Sequence, residues 1–446
     1  MRRMERRALL SLLLAAILFI GLSIFVYRFV VNGSKWATFY GNQNLYSGSG
    51  LTSGAVYDRN GILLVENTPD GPIYNEDYYI RKGTIHAVGD SKGNVSTAAL
   101  TAYRDKLIGY NLITGTYKLK GGNQDLELTL DAEACSVAYQ WLADYDAGSV
   151  GVYNYKTGEI LCMVSTPSFD PYEPPELEEG DTSGIYLNRF LSSTITPGSI
   201  FKTVTTAAAI DNLDWQSFSY YCEGEREVEG EYITCVEPHG QLDLEDALAY
   251  SCNCAFSALA ESLGPDIMEE YVDKLGLTKK YDLNGIETAA GTFVFPRDSA
   301  LNLGWAGVGQ WDDEINPCSM MIYIGAVANG GKAAIPRLIA NSFIREKINI
   351  GVETEELISL ETANLLASMM FNNVETVYGN YSFPGLEIAG KTGTAEVEGK
   401  EPNATFVGFL QDPNHPYAFI VTVENAGSGQ EVAVPIANAV LQALIN

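Results

Sequence analysis

Thr196-Pro197-Gly198-Ser199-Ile200-Phe201-Lys202 is the stretch on which the reading of this chain turns. Pro-Gly ends the preceding segment and leaves Ser199 at or near a helix N-terminus, where free N–H groups and the helix dipole favour negative charge. Lys202 follows three residues later, one turn on and on the same face. A serine hydroxyl is a weak nucleophile without a base, and a lysine serves as one if its pKa is lowered. From Ser199 to about Ile210 the chain is helical in character, with Ala207, Ala208 and Ala209 adding little bulk. Taken alone, S-x-x-K describes a capping serine and a surface lysine equally well.

Two further patterns follow in order. Ser251-Cys252-Asn253 comes after an amphipathic segment from Leu242 to Tyr250, and by itself reads as a polar turn. Lys391-Thr392-Gly393-Thr394 lies inside a strand-like segment that begins at Leu386, and a glycine within a strand marks close approach of a ligand or another backbone. The same triplet occurs at Lys156-Thr157-Gly158, between strand-like runs Gly148–Tyr153 and Glu159–Ser165. There it makes a hairpin turn ahead of the serine, so no chemistry is assigned to it.

The 446 residues, 46% hydrophobic and 19% charged, have globular composition and suit two or three structural units. A formal charge of −28 removes nucleic-acid binding, which needs a basic surface. Arg2, Arg3, Arg6 and Arg7 precede an uncharged, largely apolar run from Ala8 to Tyr27. At about 1.5 Å per residue this run reaches roughly 30 Å, a bilayer core. Arg28-Phe29-Val30-Val31 follows instead of a small-residue cleavage site, which favours an uncleaved anchor over a signal peptide. The arginines then stay cytoplasmic and the remainder lies outside. The expected units are a cytoplasmic tail (1–7), a membrane anchor (8–31), a juxtamembrane module (32–125) and a catalytic domain (126–446).

Elsewhere, Gly54 to Leu64 reads as strand, Asn60-Gly61 turn, strand, and Asp131 caps a helix to about Asp144. Pro171 to Asp181 is a solvated loop. Thr405–Leu410 and Tyr417–Glu424 are strand-like, and a helix from about Val432 to Ile445 closes the chain. Of seven cysteines, Cys222 and Cys235 have twelve residues between them in a segment that could close as a hairpin. They either pair as a disulfide or remain two free thiols. No cysteine–histidine spacing resembles a metal site, so no metal or other cofactor is expected.

S-x-x-K, then S-x-N, then K-T-G is the motif order of serine penicillin-binding proteins and serine β-lactamases. The chain resembles a class B, monofunctional penicillin-binding protein. Ala55-Val56-Tyr57-Asp58-Arg59-Asn60-Gly61 resembles that family's juxtamembrane signature. Lys156–Leu161, Ser165–Pro171, His239-Gly240 and Gly307-Val308-Gly309-Gln310 also match its pattern. The resemblance implies an α+β fold, an antiparallel sheet flanked by helices, with the active site between sheet edge and helical lobe. It further implies a D,D-transpeptidase that cross-links peptidoglycan stem peptides and is acylated by β-lactams. Ser199 would attack, Lys202 take its proton and Ser251 relay a proton to the leaving D-alanine. Asn253 would hold the donor amide, Lys391, Thr392, Gly393 and Thr394 would bind the donor, and the N–H groups of Ser199 and Thr394 would form the oxyanion hole. Partnership with a polytopic glycan polymerase is part of the same implication. Residues 32–125 are shorter than the pedestal of many class B proteins, which bears on adaptor contacts. Cys252 and Cys254 read as packed apolar cysteines.

Three competitors share the motif order. A β-lactamase is usually compact and secreted, against which the anchor and the long interval from Ser251 to Lys391 argue. A β-lactam sensor-transducer would carry more spans and a cytoplasmic signalling domain. A D,D-carboxypeptidase shares the acyl-enzyme and differs only in the acceptor.

Overall fold

The computed structural model describes residues 2–39, 54–68, 71–108, 110–111, 113–114, 116–117, 125–340, 353–397 and 399–445. Helix α1 (Arg2–Ala37) is long and apolar enough to cross a membrane, and its apolar side chains are exposed. It continues past Val31, because Asn32 to Ala37 contains no proline, and the single Gly33 weakens the helix without ending it. The Thr38 N–H and hydroxyl both donate to Ser34 O at its end, at 3.0 and 2.9 Å. At 36 residues it spans about 54 Å, more than a bilayer core of roughly 30 Å.

Strands β1 (Val56–Tyr57), β2 (Leu63–Thr68) and β3 (Gly71–Tyr74) form a small antiparallel sheet around the expected Asn60-Gly61 turn. Strand β4 (Leu126–Glu127) joins it parallel to β1, so this sheet crosses the boundary expected at residue 125. Helix α2 (Tyr78–Val88), capped by Asp77, precedes β4, and helix α3 (Ala132–Leu142), capped by Asp131, follows it. Asp58 ties the small sheet to α3. Its buried carboxylate accepts from the N–H groups of Asn60 and Ile62 at 2.8 and 2.7 Å, and from Ala132 N–H at 3.1 Å. The neighbouring Asn60 amide donates to Asp131 at 2.8 Å.

The central sheet begins with the hairpin β5 (Ala147–Asn154) and β6 (Ile160–Thr166). Helix α4 (Lys202–Asn212) comes next, then two ribbons: β7 (Tyr220–Cys222) pairs with β10 (Gly240–Leu242), and β8 (Glu225–Val228) pairs with β9 (Glu231–Thr234). Helices α5 (Leu244–Ala249), α6 (Asn253–Lys274, broken at Gly264) and α7 (Ala300–Val308) build the helical lobe. Helices α8 (Pro317–Ala328) and α9 (Leu360–Asn373) lead to β11 (Ile388–Ala395), β12 (Asn403–Leu410), β13 (Tyr417–Glu424) and helix α10 (Gly429–Ile445). The sheet order is β11-β12-β13-β5-β6, antiparallel throughout. Residues of β6 are buried at every position, which requires cover on both faces. α3 and α10 pack on each other and on the sheet, as do α8 and α9. The α+β fold matches the expectation, and β11, the K-T-G strand, is an edge.

Replacing Asp58 with Ala strands three N–H groups, two of them at the turn and one at the start of α3. The expected loss is about 3 kcal/mol of stability, read as a thermal midpoint several degrees lower, with Asp58→Asn losing less because one carbonyl oxygen remains.

Candidate active site

Pro197-Gly198 sets up a 3₁₀ turn, Gly198–Phe201, that runs into α4 at Lys202. Ser199 therefore sits in the turn and Lys202 begins the α-helix. Gly198 has φ +57°, a left-handed conformation, and a Cβ there would lie 2.9 Å from Thr394 O. At Gly393 a Cβ would lie 2.2 Å from Thr405 Oγ1 and 3.1 Å from Pro197 O. The glycine of K-T-G thus lets the edge strand touch the Ser199 turn, as its place in a strand suggested.

Lys202 is fully buried and joins the first two motifs. Its Nζ lies 3.1 Å from Ser199 Oγ, 2.6 Å from Ser251 O, 3.0 Å from Ser251 Oγ and 2.7 Å from Asn253 Oδ1. Asn253 also donates through Nδ2 to Thr234 O at 2.8 Å, which orients its amide with the oxygen toward the lysine. Ser251 O and Asn253 Oδ1 cannot donate. They match the two N–H bonds of a neutral amine and leave its lone pair for a hydroxyl, with Ser199 Oγ in reach. Burial, followed by the charge of Lys391, pushes the Lys202 pKa well below that of an ordinary lysine.

Lys391 is also fully buried, and desolvation lowers its pKa to about 7. Its Nζ donates to Ser251 Oγ at 3.0 Å and to Thr392 O at 2.8 Å. The Ser251 hydroxyl therefore bridges both lysines. Ser251 itself has φ +55°, an uncommon conformation for a residue with a side chain. Lys156, in the duplicate triplet, is exposed in the β5–β6 turn.

The outer edge of β11 is covered by residues that the motifs do not include. Asn373 Nδ2 donates to Gly390 O at 3.0 Å, and Thr392 N–H donates to the hydroxyl of buried Tyr378 at 3.2 Å. Gln310 Nε2 approaches Thr394 O at 3.4 Å. Gln310 belongs to the Gly307–Gln310 pattern, whereas Asn373 and Tyr378 carry no local signal. Backbone groups of Thr392 and Thr394 point the same way, away from β12, since they are two residues apart on one strand. Cys222 and Cys235 do meet, but with sulfurs 3.8 Å apart and both thiols free, so no disulfide joins them here.

The family model described as the penicillin binding protein transpeptidase domain matches residues 148–442. The chain is 29% identical over 331 residues to peptidoglycan D,D-transpeptidase PbpA of Mycobacterium tuberculosis, covering 67% of each protein. It is 27% identical over 417 residues to stage V sporulation protein D of Bacillus subtilis, covering 87% of this chain and 61% of that one. The solved structure of penicillin-binding protein A from M. tuberculosis, as a ceftriaxone acyl-enzyme, superposes with a TM-score of 0.76 at 23% identity. That match covers 89% of this chain and 99% of the other. A D,D-transpeptidase domain from Eggerthella lenta gives a TM-score of 0.75 at 23% identity, with coverage of 89% and 99%. The structural matches establish the shared fold, and the match over residues 148–442 establishes the family: this chain belongs to the penicillin binding protein transpeptidases.

Proposed function

We propose that the chain is a membrane-anchored peptidoglycan D,D-transpeptidase working through an acyl-Ser199 intermediate. The observation that carries this reading is the continuous chain Ser199–Lys202–Ser251–Lys391, with both lysines buried beside one shared hydroxyl. Neutral Lys202 takes the Ser199 proton as Oγ attacks the carbonyl of a D-alanyl-D-alanine terminus. The N–H groups of Ser199 and Thr394 stabilise the oxyanion, and Thr394 suits this role because its backbone faces away from β12. As the C–N bond breaks, the proton passes through Ser251 to the departing D-alanine nitrogen. Lys391, Thr392 and Thr394 hold the donor carboxylate, Gly393 gives the strand its close approach, and Asn253 holds the donor amide. An amine from a neighbouring stem peptide then attacks the ester and gives its proton to Lys202, which passes a proton to Ser199 Oγ as the C–Oγ bond breaks.

The same reading assigns residues 1–7 to the cytoplasm, 8–31 to the bilayer core, 32–125 to a juxtamembrane module and 126–446 to catalysis outside the cell membrane. A polytopic glycan polymerase contacting the anchor and module is its proposed partner. Labelling the full chain with fluorescent penicillin, then following label loss and cross-linked product, separates transpeptidation from hydrolysis.

Ser199→Ala is expected to abolish covalent labelling while the thermal midpoint stays near that of the parent. Stoichiometric labelling of this variant would remove Ser199 as nucleophile.

Lys391→Ala should slow acylation about 100-fold or more, having removed the donor to Ser251 Oγ. Lys156→Ala, in the exposed duplicate triplet, should acylate at the parental rate. Equal losses in stopped-flow acylation would overturn the assignment of the second triplet.

Lys202→Arg keeps a positive charge that cannot be given up near neutrality. It should lose acylation as fully as Lys202→Ala. In the parent, the base is active only once deprotonated, so the acylation rate should climb with pH through an ionisation far below the roughly 10.4 of a free lysine. A flat pH–rate profile would count against Lys202 as base.

A further inference from the structure

The thiols near the S-x-N turn do not behave as separate packed cysteines. Cys222 ends β7, Cys235 follows β9, His239 precedes β10, and Cys252 is the middle residue of Ser251-Cys252-Asn253. One side-chain donor atom from each of these four residues lies within 4.8 Å of the other three. Cys222 Sγ is 3.8 Å from Cys235 Sγ and 3.5 Å from His239 Nδ1, and Cys235 Sγ is 3.7 Å from Cys252 Sγ. Tetrahedral zinc, with Zn–S about 2.3 Å and Zn–N about 2.0–2.1 Å, separates its ligands by about 3.8 Å for S···S and about 3.5 Å for S···N. Sulfurs in van der Waals contact share that spacing, so one pair would decide nothing. Three sulfurs and a ring nitrogen from separate segments, converging on one point, have a more specific explanation.

The surroundings suit thiolate ligands. Cys254 N–H donates to Cys235 Sγ at 3.5 Å, and Ala255 N–H donates to Cys252 Sγ at 3.4 Å, where Cys252 caps α6. The His239 ring stacks on Tyr250, with centroids 5.9 Å apart, which fixes its orientation. Cys254 Sγ also touches Cys235 Sγ, at 3.5 Å, but it donates to Ile233 O at 3.4 Å and stands outside the group of four. Three thiolates and a neutral imidazole around Zn²⁺ carry a net charge of −1, which the N–H groups donating to Cys235 and Cys252 help to offset.

We propose that Cys222, Cys235, His239 and Cys252 bind one structural zinc ion that clamps the Ser251-Cys252-Asn253 turn against the β8–β9 hairpin. The ion would hold Ser251 in its left-handed backbone. It would also fix Thr234, whose carbonyl orients Asn253, next to ligand Cys235. Binding itself is independent of the proposed reaction; the effect on acylation rests on it.

The test uses the full chain purified in detergent. Elemental analysis should find one zinc per chain, and exchange for Co²⁺ should give the intense visible bands of a tetrahedral thiolate site. Cys222→Ser, Cys235→Ser and His239→Ala should each lose the metal, whereas Cys318→Ala, buried in α8, should keep it. Chelation should slow penicillin acylation about 10-fold or more, and zinc should restore it. No stoichiometric zinc after incubation with the metal, unchanged zinc in the ligand variants, or a Cys222–Cys235 disulfide found by mass spectrometry would each overturn the site. Zinc bound with acylation indifferent to its removal would overturn the clamp. Zinc bound in a chain that penicillin never acylates would overturn the proposed reaction and leave the metal site standing.

Discussion

Two lysine side chains removed from water without a counter-ion set the terms for the rest of this molecule. An ammonium in such a place costs several kcal/mol unless it is paired or gives up its proton. All hydrogen-bond partners found for Lys202 and Lys391 among the described residues are neutral oxygens. Giving up a proton is then the favourable response, and a buried lysine becomes a base at a pH where an exposed one is not. The surrounding fold has to supply acceptors at fixed positions. The S-x-N turn does so from the helical lobe, and β11 brings the second lysine from the sheet.

Those two halves meet through glycines far apart in the chain. Gly198 N–H donates to Gly309 O at 2.9 Å, and a Cβ on Gly309 would come within 2.3 Å of Gly198 O. With Gly393 against Pro197, three backbones from the Ser199 turn, the end of α7 and the edge strand are in contact. Side chains there would separate the sheet from the lobe and lengthen the hydrogen bonds on which the lysines depend.

Much of this was legible because the motifs are local. Ser199 and Lys202 are one turn apart, and the strands containing Lys391 and flanking Asn60-Gly61 show their pattern over a few residues. Position along the chain also separated the two K-T-G triplets, one buried at an edge and one exposed in a turn. What escaped depends on tertiary register. Tyr378 and Asn373 meet β11 only because α9 and the turn after it run beside the strand. The cysteine and histidine positions are separated by twelve, three and twelve residues, so only Cys235 and His239 form a short pair and the other two ligands join them when the ribbons fold. Helix α1 outruns its apolar core because hydropathy marks where a bilayer core ends, whereas a helix stops only at a breaker or a cap.

The dressing of the sheet edge has a consequence for what can associate with this protein. An open edge strand is a template for any extended chain, including another copy of itself. Here Asn373, Tyr378 and Gln310 each occupy one rung, so another protein's strand finds its pairing partners taken. The edge thereby sorts visitors by length, since a continuous strand needs rungs that side chains already hold and a short chain needs few.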